Sequence, residues 1–195
     1  MSPFSDIYEL IQSSPDGDLE AMAAAEERQS NILQAPNALG RLGEVAVWLA
    51  RWQGKNPPSI EKPMVAVFAS SHGVAKHGVS PEQRESAAPL IELLRRGGSA
   101  TNHVAAASGA GMRVFEMAME QPTKDMSEEP AMSEKECAAT IAFGMEAVAE
   151  SPDLLALGET GVGRGTAAAA VACAMYCGNA NYWVRAGEWV SPDIL

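Results

Sequence analysis

The sequence predicts an α/β fold: an open parallel sheet with flanking helices, preceded by an N-terminal helical arm. Three short apolar runs, beginning near residues 64, 112 and 153, alternate with helical segments, as in parallel sheets with right-handed crossovers. Residues 1–56 show only helical periodicity. The loop GKNPPSIEKP separates the two patterns. We therefore predict residues 1–56 as the helical arm and residues 57–195 as the first part of the α/β domain.

Composition and charge exclude several classes of protein. The 195 residues are 47% hydrophobic, which is enough for a sizeable core. No apolar run reaches the ~18 residues needed to span a bilayer, and the N-terminus lacks the basic and apolar blocks of a signal peptide. The 14 basic and 25 acidic side chains give a net charge of −11. This balance argues against nucleic acid as a main partner.

Cysteine and histidine usage predicts neither a disulfide framework nor a metal site. Cys137, Cys173 and Cys177 are odd in number, and the last two have the one-turn spacing of small buried thiols. The three histidines are scattered along the chain. We therefore predict no metal and no cofactor, in a protein of the reducing cytoplasm.

The arm contains three predicted helices. Ser5 caps a short first helix, and Asp18 or a neighbour begins a second helix through DLEAMAAAEERQSNILQ. A third helix runs from about Ala38, with apolar residues at helical spacing. Trp48 and Trp52 lie one turn apart on this helix, and we interpret them as packing residues rather than a cofactor site.

The first part of the α/β region combines a strand with two helix-start signals. MVAVFA, residues 64–69, has the continuous apolar character of a buried parallel strand. Ser80 followed by Pro81 predicts a helix that continues to Arg96. Ser99 then caps the next helix.

A second strand and a helix follow. The strand is predicted over Met112–Met117, and the acidic loop Asp125–Glu129 is interpreted as a solvated loop. Ser133 and Glu136, three residues apart, form the capping box of the next helix.

The glycine-rich stretch after the third strand is the main candidate site. The strand is predicted over Asp153–Leu157 and the turn over Gly158–Gly165. Glycines leave backbone N–H groups unshielded, and the next helix directs its partly positive N-terminus into the turn, which suits a phosphate or carboxylate. Arg164 and Thr166 would add donors. Glu159 lies where open α/β sheets place ligand-contacting residues.

This stretch matches no standard phosphate-binding motif. G-E-T-G-V-G-R-G lacks the Gly-Lys-Ser/Thr of a Walker loop and the spacing of GxGxxG. Its glycines also suit an ordinary strand-to-helix connection that needs close packing. Spacing alone leaves both alternatives open.

The end of the sequence indicates an incomplete sheet. Ser191-Pro192-Asp193 is a helix-start signal that only Ile194 and Leu195 follow. Three strands are few for a sheet that must bury both faces. We therefore expect the sequence to be the front portion of a larger fold; the alternative is a frayed C-terminal tail.

Five stretches, in order along the chain, resemble one enzyme family. They are APNALGRLGEVAVWLARWQG, VAVFASSHGVAKHGVSP, RRGGSATN, EEPAMSEKEC and DLLALGETGVGRGTAAAAVACA. The family is nicotinate-nucleotide–dimethylbenzimidazole phosphoribosyltransferase, which makes the lower-ligand nucleotide of cobalamin. The resemblance implies a Rossmann-like parallel sheet with a smaller helical domain, and a homodimer.

The resemblance also implies substrates and site residues. The small-molecule substrates would be nicotinate mononucleotide and 5,6-dimethylbenzimidazole. Ser80 and the His72–Gly73 loop would line the benzimidazole pocket. The residues implied at the 5′-phosphate are those of the turn, Glu159, Thr160, Gly161, Val162, Gly163 and Arg164.

The sequence departs from the family pattern near this site. Arg164-Gly165 replaces Asn-Thr, so a cation would replace neutral donors near the phosphate. Ser71 stands where an acid often precedes His-Gly. Arg84-Glu85-Ser86 and Ala88-Pro89 replace a stretch with a base-facing glutamine, which leaves base selectivity open.

The family's general base is a glutamate in a RLGEGSGA motif that this sequence does not contain. RLGE at Arg41–Glu44 belongs to the arm and lacks the GSG that follows in the family. Three hypotheses remain. The chain is the front part of such a transferase and needs the rest for turnover, it is a catalytically silent nucleotide-binding paralogue, or it is a misfolded fragment without function.

Overall fold

The structure is a computed structural model that describes residues 2–35, 38–80 and 87–184. The chain divides into two compact units: Ser5–Lys62 forms one, and the remaining residues form the other. The predicted helix start at Pro81 and the helix-start signal at Ser191-Pro192-Asp193 lie outside the described residues.

The first unit is helical, as its periodicity predicts. It contains α1 (Ser5–Gln12), α2 (Leu19–Asn31) and α3 (Arg41–Gln53). Asp18 caps α2, since its side chain accepts a hydrogen bond from the amide of Ala21 at 2.9 Å. α3 begins three residues later than predicted because Gly40, with φ of 48°, precedes it in a non-helical conformation. Trp48 and Trp52 are about half exposed.

The second unit is a three-stranded parallel sheet with flanking helices. Its strands are β1 (Pro63–Ala69), β2 (Gly111–Glu116) and β3 (Leu154–Thr160), in the order β2-β1-β3. Its helices are α4 (Ala87–Arg95), α5 (Ala100–Ala107), α6 (Glu134–Met145), α7 (Arg164–Tyr176) and α8 (Ala180–Trp183), with short 3-10 helices at Gly73–His77 and Glu146–Val148. The α/β prediction is therefore confirmed.

The core of this unit packs against β1, the central strand. Met64, Ala66, Phe115 and Ala147 are its buried members. The ring of Phe115 stacks on Phe68 with centroids 5.1 Å apart and meets Phe143 edge-on at 6.1 Å. These aromatic contacts fix the alignment of β1, β2 and α6.

The predicted helix caps at Ser99 and Ser133 are confirmed, whereas Ser5, predicted as the cap of the first helix, is the first residue of α1. The Ser99 side chain accepts from the amide of Asn102, and the Ser133 side chain accepts from the amide of Glu136. In each case the backbone amide of the cap donates to the side chain of that third residue. Such caps depend on neighbouring residues alone, which is why sequence predicts them well.

The predicted limits of the third strand were wrong. β3 continues to Thr160, so Gly158 and Glu159 belong to the strand rather than to the turn. Its register with β1 pairs Phe68 with Glu159 and Ala69 with Thr160. Pairing with a buried neighbour thus outweighs the low strand propensity of glycine.

Within the part of the chain that the structure describes, no helix is both long and apolar enough to cross a bilayer.

Candidate nucleotide-binding site

The carboxyl ends of the three strands meet at one edge of the sheet, where the following loops bond to one another. Ala69 lies in register with both Glu116 and Thr160. The amide of Ser70 donates to the carbonyl of Thr160 at 3.0 Å. The amide of Met117 donates to the carbonyl of Ala69 at 2.8 Å. Parallel sheets place ligand sites at this edge.

The turn between β3 and α7 is shorter and tighter than the sequence indicates. It consists of Gly161, Val162 and Gly163, all buried, and α7 begins at Arg164. Gly161 has φ of 139° and Gly163 has φ of 81°, conformations that disfavour side chains. A β-carbon on Gly161 would collide with the carbonyl oxygen of Ser70. Both glycines are therefore required by the geometry.

Gly158 and Gly165 have other roles. A β-carbon on Gly158 would lie 3.6 Å from Cγ2 of Val67, an ordinary packing distance. A β-carbon on Gly165 would meet no atom within 4 Å. Of the four glycines in the predicted turn, only Gly161 and Gly163 shape the backbone.

The amides of this turn find no acceptor in the part of the chain that the structure describes. Among the described residues, the N–H groups of Gly161, Val162 and Gly163 donate to no protein oxygen. Gly163 caps α7 without a side-chain hydrogen bond. Buried amides of native proteins are nearly always paired, so these amides suit an acceptor that the described residues do not supply. An anion at the start of a 13-residue helix would supply it.

Arg164 folds over the turn that precedes it. Its Nη1 donates to the carbonyl of Gly161 at 2.9 Å. This contact holds the guanidinium beside the turn. The side chain therefore adds positive charge next to the three amides.

A cavity of about 480 Å³ adjoins the turn. Its walls come from α4, from the loop after β2 (residues 117–133), and from Ser71 and Val162. A second, much smaller pocket shares Ile91, Met119 and Val162 with this cavity and is also lined by Thr160 and Gly161. The lining of the larger cavity contains the apolar residues Ile91 and Met119 together with the acidic residues Glu92, Glu116 and Glu120. The cavity therefore combines an apolar wall with polar groups, as small-molecule sites do.

The cavity carries one prominent ion pair. Arg95 Nη2 lies 2.8 Å from Glu116 Oε1, at the carboxyl end of β2. Glu92 and Glu120 also line the cavity.

The sequence did not identify Ile91 and Met119 as lining residues, because they lie in segments that are remote from each other along the chain. The one local signal for this cavity wall is the four-residue spacing of Ala87 and Ile91, which puts both residues on one face of α4.

The structure brings two of the predicted residues, His72 and Glu159, together. His72 Nε2 lies 2.9 Å from Ser70 Oγ and 3.6 Å from Glu159 Oε1. Only 16% of the His72 side chain is exposed, against 43% of the Glu159 side chain. A protonated His72 would thus form an ion pair at the end of β3.

Gly73 and Ser80 occupy different surroundings. Gly73 packs against the loop after β2, because a β-carbon on it would lie 2.5 Å from the carbonyl oxygen of Thr123. Its amide donates to Thr123 Oγ1 at 3.3 Å. Ser80 is half-buried. Neither residue lines the cavity. From the segment 70–80 after β1, Ser71 is the residue that lines it.

The acidic loop after β2 was predicted to be solvated, but one of its carboxylates is buried. The side chain of Asp125 is only 6% exposed. Hydrogen bonds from the amide of Ser127, and then contacts with Lys76, hold the pKa of its carboxyl well below the ordinary value. Desolvation alone would have raised that pKa. Asp125 is therefore a buried carboxylate, and the solvated-loop interpretation was wrong for it.

Comparison with known proteins adds independent information. A phosphoribosyltransferase family model matches residues 14–195. The nicotinate-nucleotide–dimethylbenzimidazole phosphoribosyltransferases of Rhizobium meliloti (strain 1021) and Sinorhizobium medicae (strain WSM419) are each 45% identical over 193 residues. Those alignments cover 99% of this chain and 57% of each relative. The chain thus spans somewhat more than half the length of these relatives.

A solved structure shows the same fold. The crystal structure of CobT from Thermus thermophilus matches with a TM-score of 0.80 at 31% sequence identity. The match covers 90% of this chain and 58% of that chain.

Proposed function

This chain belongs to the phosphoribosyltransferase family whose matching relatives are named nicotinate-nucleotide–dimethylbenzimidazole phosphoribosyltransferase, and from that premise we propose that it serves the same transfer. The phosphoribosyl group of nicotinate mononucleotide moves to 5,6-dimethylbenzimidazole, which gives α-ribazole phosphate and nicotinate for cobalamin biosynthesis. The observation that carries this proposal is the buried turn Gly161–Gly163, whose amides donate to no acceptor within the described residues.

In this proposal the turn holds the 5′-phosphate of nicotinate mononucleotide. The amides of Gly161, Val162 and Gly163 and the N-terminus of α7 donate to the phosphate oxygens. Arg164, placed by its bond to Gly161, adds positive charge. Holding the phosphate fixes the ribose, and this positioning is much of what a two-substrate transfer requires.

The adjoining cavity offers a place for the acceptor base. Its volume of about 480 Å³ and its Ile91 and Met119 wall suit a flat, largely apolar bicyclic ring. Ser80, His72 and Gly73, which the family resemblance implies for this pocket, stay predictions. Ser71 and Ile91 are stronger candidates on geometric grounds, since both line the cavity.

The reaction is a displacement at C1′ of the ribose. A ring nitrogen of the base attacks C1′ with its lone pair, and nicotinate leaves with the pair of the broken bond. A carboxylate removes the proton from the attacking ring. Glu159, held beside His72, orients the substrates in this scheme. The general base belongs to the motif that this sequence lacks.

The cellular setting is part of the same proposal. The protein would act in the cytoplasm as a homodimer on small molecules, with no nucleic-acid or membrane partner. The family resemblance supports the dimer, and the odd number of cysteines supports a reducing compartment.

Binding and turnover test the proposal separately. Calorimetry should show that the 195-residue chain binds nicotinate mononucleotide. Nicotinate release with dimethylbenzimidazole should require a polypeptide carrying the rest of the Rhizobium meliloti relative. Binding with no release from the mixture would favour the catalytically silent module. A folded chain that does not bind would overturn the proposal, and release by the chain alone would remove the need for the second polypeptide.

A further inference from the structure

Asp125 is a buried carboxylate that takes no part in the proposed reaction. Its Oδ1 accepts from the amide of Ser127 at 3.0 Å and from Ser127 Oγ at 2.7 Å. Its Oδ2 lies 2.9 Å from Lys76 Nζ and 2.7 Å from His77 Nε2. Both carboxylate oxygens of a nearly buried side chain are thus engaged. Such a network rigidifies the elements that it joins.

The element that Asp125 holds is the 3-10 helix Gly73–His77. Lys76 and His77 form its last turn, so Asp125 fixes its C-terminal end. The same loop fixes the other end, because the amide of Gly73 donates to Thr123 Oγ1 at 3.3 Å. The loop after β2 therefore holds this helix at both ends.

The middle of the 3-10 helix packs against the candidate anion site. A β-carbon on Gly163 would lie 3.3 Å from both the amide nitrogen of Ala75 and Cγ1 of Val74. Val74 is itself only 6% exposed. Gly163 is the N-cap of α7, directly before its first residue. A shift of the 3-10 helix would therefore displace the start of α7.

We infer that Asp125 is a positioning residue for the turn Gly161–Gly163. Through Lys76 and His77 it fixes the 3-10 helix, and Val74 and Ala75 in turn set the place of Gly163. Asp125 touches no ligand in this arrangement. The inference rests on the proposed function for the identity of the ligand, whereas the coupling between Asp125 and Gly163 does not depend on it.

Asp125→Asn is the primary test, with nicotinate mononucleotide as the probe. Asparagine keeps the size of the side chain but turns an NH₂ group towards Lys76 or His77. We expect the amide ¹H–¹⁵N resonance of Gly163 to move in the ligand-free protein. We expect the dissociation constant to rise on the order of tenfold, the effect of impairing a hydrogen bond to a charged ligand.

Glu128→Gln is the matched control. Glu128 Oε1 lies 2.8 Å from the same Lys76, but its side chain is 65% exposed. Loss of an exposed pair has little effect, so the Gly163 resonance and the dissociation constant should stay unchanged. Lys76→Gln replaces Asp125→Asn as the test if Asp125→Asn does not fold. It should shift the Gly163 resonance in the same direction but by a smaller amount.

The outcomes separate this inference from the proposed function. An unmoved Gly163 resonance in a folded Asp125→Asn or Lys76→Gln protein would overturn the positioning role. An equal displacement in Glu128→Gln would overturn it too. A wild-type chain that fails to bind the nucleotide overturns the proposed function, while the resonance of Gly163 still tests the coupling.

Discussion

The turn after β3 and the loop after β2 follow strands of the same parallel sheet, yet they use their polar groups in opposite ways. In the turn Gly161–Gly163, the amides donate to no acceptor among the described residues. In the loop, both oxygens of Asp125 are satisfied by Lys76, His77 and Ser127. The turn has hydrogen-bonding capacity for a ligand, whereas the loop uses its own to build the scaffold.

This difference separates the site from its support. A buried group that is fully paired contributes order and little chemistry, while a buried group without a partner predicts a ligand. The contact of Gly163 with Val74 and Ala75 joins the two regions. Substitutions in the turn should therefore affect binding directly, and those in the loop should affect stability first.

The largest effect is expected for Gly161→Val. The added side chain would collide with the carbonyl of Ser70, at a φ of 139° that valine avoids. We expect a loss of about 3 kcal/mol or more in the free energy of unfolding, together with loss of nucleotide binding. Urea titration and calorimetry measure the two effects.

Gly165→Ala is the control for that substitution, because its β-carbon meets no atom within 4 Å. It should be neutral or slightly stabilising, since alanine favours a helix more than glycine does. A Gly161→Val protein as stable and as tightly binding as Gly165→Ala would make the turn a plain connector.

Arg164→Ala comes next. The guanidinium is held over the turn by its bond to Gly161, so its loss should weaken binding of nicotinate mononucleotide by about 1.5–3 kcal/mol, as for hydrogen bonds to charged groups. Arg164→Lys keeps the charge but not the planar fork, so its affinity for nicotinate mononucleotide should lie between those of wild type and Arg164→Ala. Unchanged affinity in Arg164→Ala would remove Arg164 from the site.

Acid stability distinguishes the loop from the turn. The pKa of the Asp125 carboxyl is lowered in the folded state, so the unfolded chain binds more protons in acid. Its stabilising effect is present above the unfolded pKa of about 4 and is lost as the pH falls from there towards the lower folded pKa. Asp125→Asn should flatten the decline of the urea midpoint below about pH 4. A profile as steep as that of wild type would contradict the assigned network.

Ser133→Ala should have the smallest effect. Ser133 caps α6 after the acidic loop, and loss of a serine cap costs about 1 kcal/mol. The unfolding free energy should fall by that amount with nucleotide affinity unchanged. A marked loss of affinity would mean that the scaffold and the site are not separable in this way.

Local features of the fold could be predicted from sequence, and distant contacts could not. Ser99 and Ser133 cap helices through residues three positions away, and β1 shows its burial in an unbroken apolar run. Asp125 meets His77 across 48 positions. Nothing within the acidic stretch distinguishes it from solvated neighbours such as Glu128 and Glu129. Its burial follows only from the folded chain.

The site divides in the same way. Gly161 and Gly163 could be identified as the turn because glycine itself indicates the backbone conformation. The extension of β3 to Thr160 depends on its register with Ala69. The cavity wall joins Ile91 to Met119, which belong to different elements with no shared periodicity. Sequence therefore predicted the glycine turn as the candidate anion site but not the pocket beside it.

The central claim is that the amides of Gly161–Gly163 bind a phosphate, and one titration tests it most directly. The ¹H–¹⁵N resonances of these three residues are followed as nicotinate mononucleotide is added, and then with nicotinate riboside, which lacks the phosphate. We predict saturable displacement of all three amides by the mononucleotide and almost none by the riboside. Equal displacement by both ligands, or none by either in a folded protein, would contradict the account.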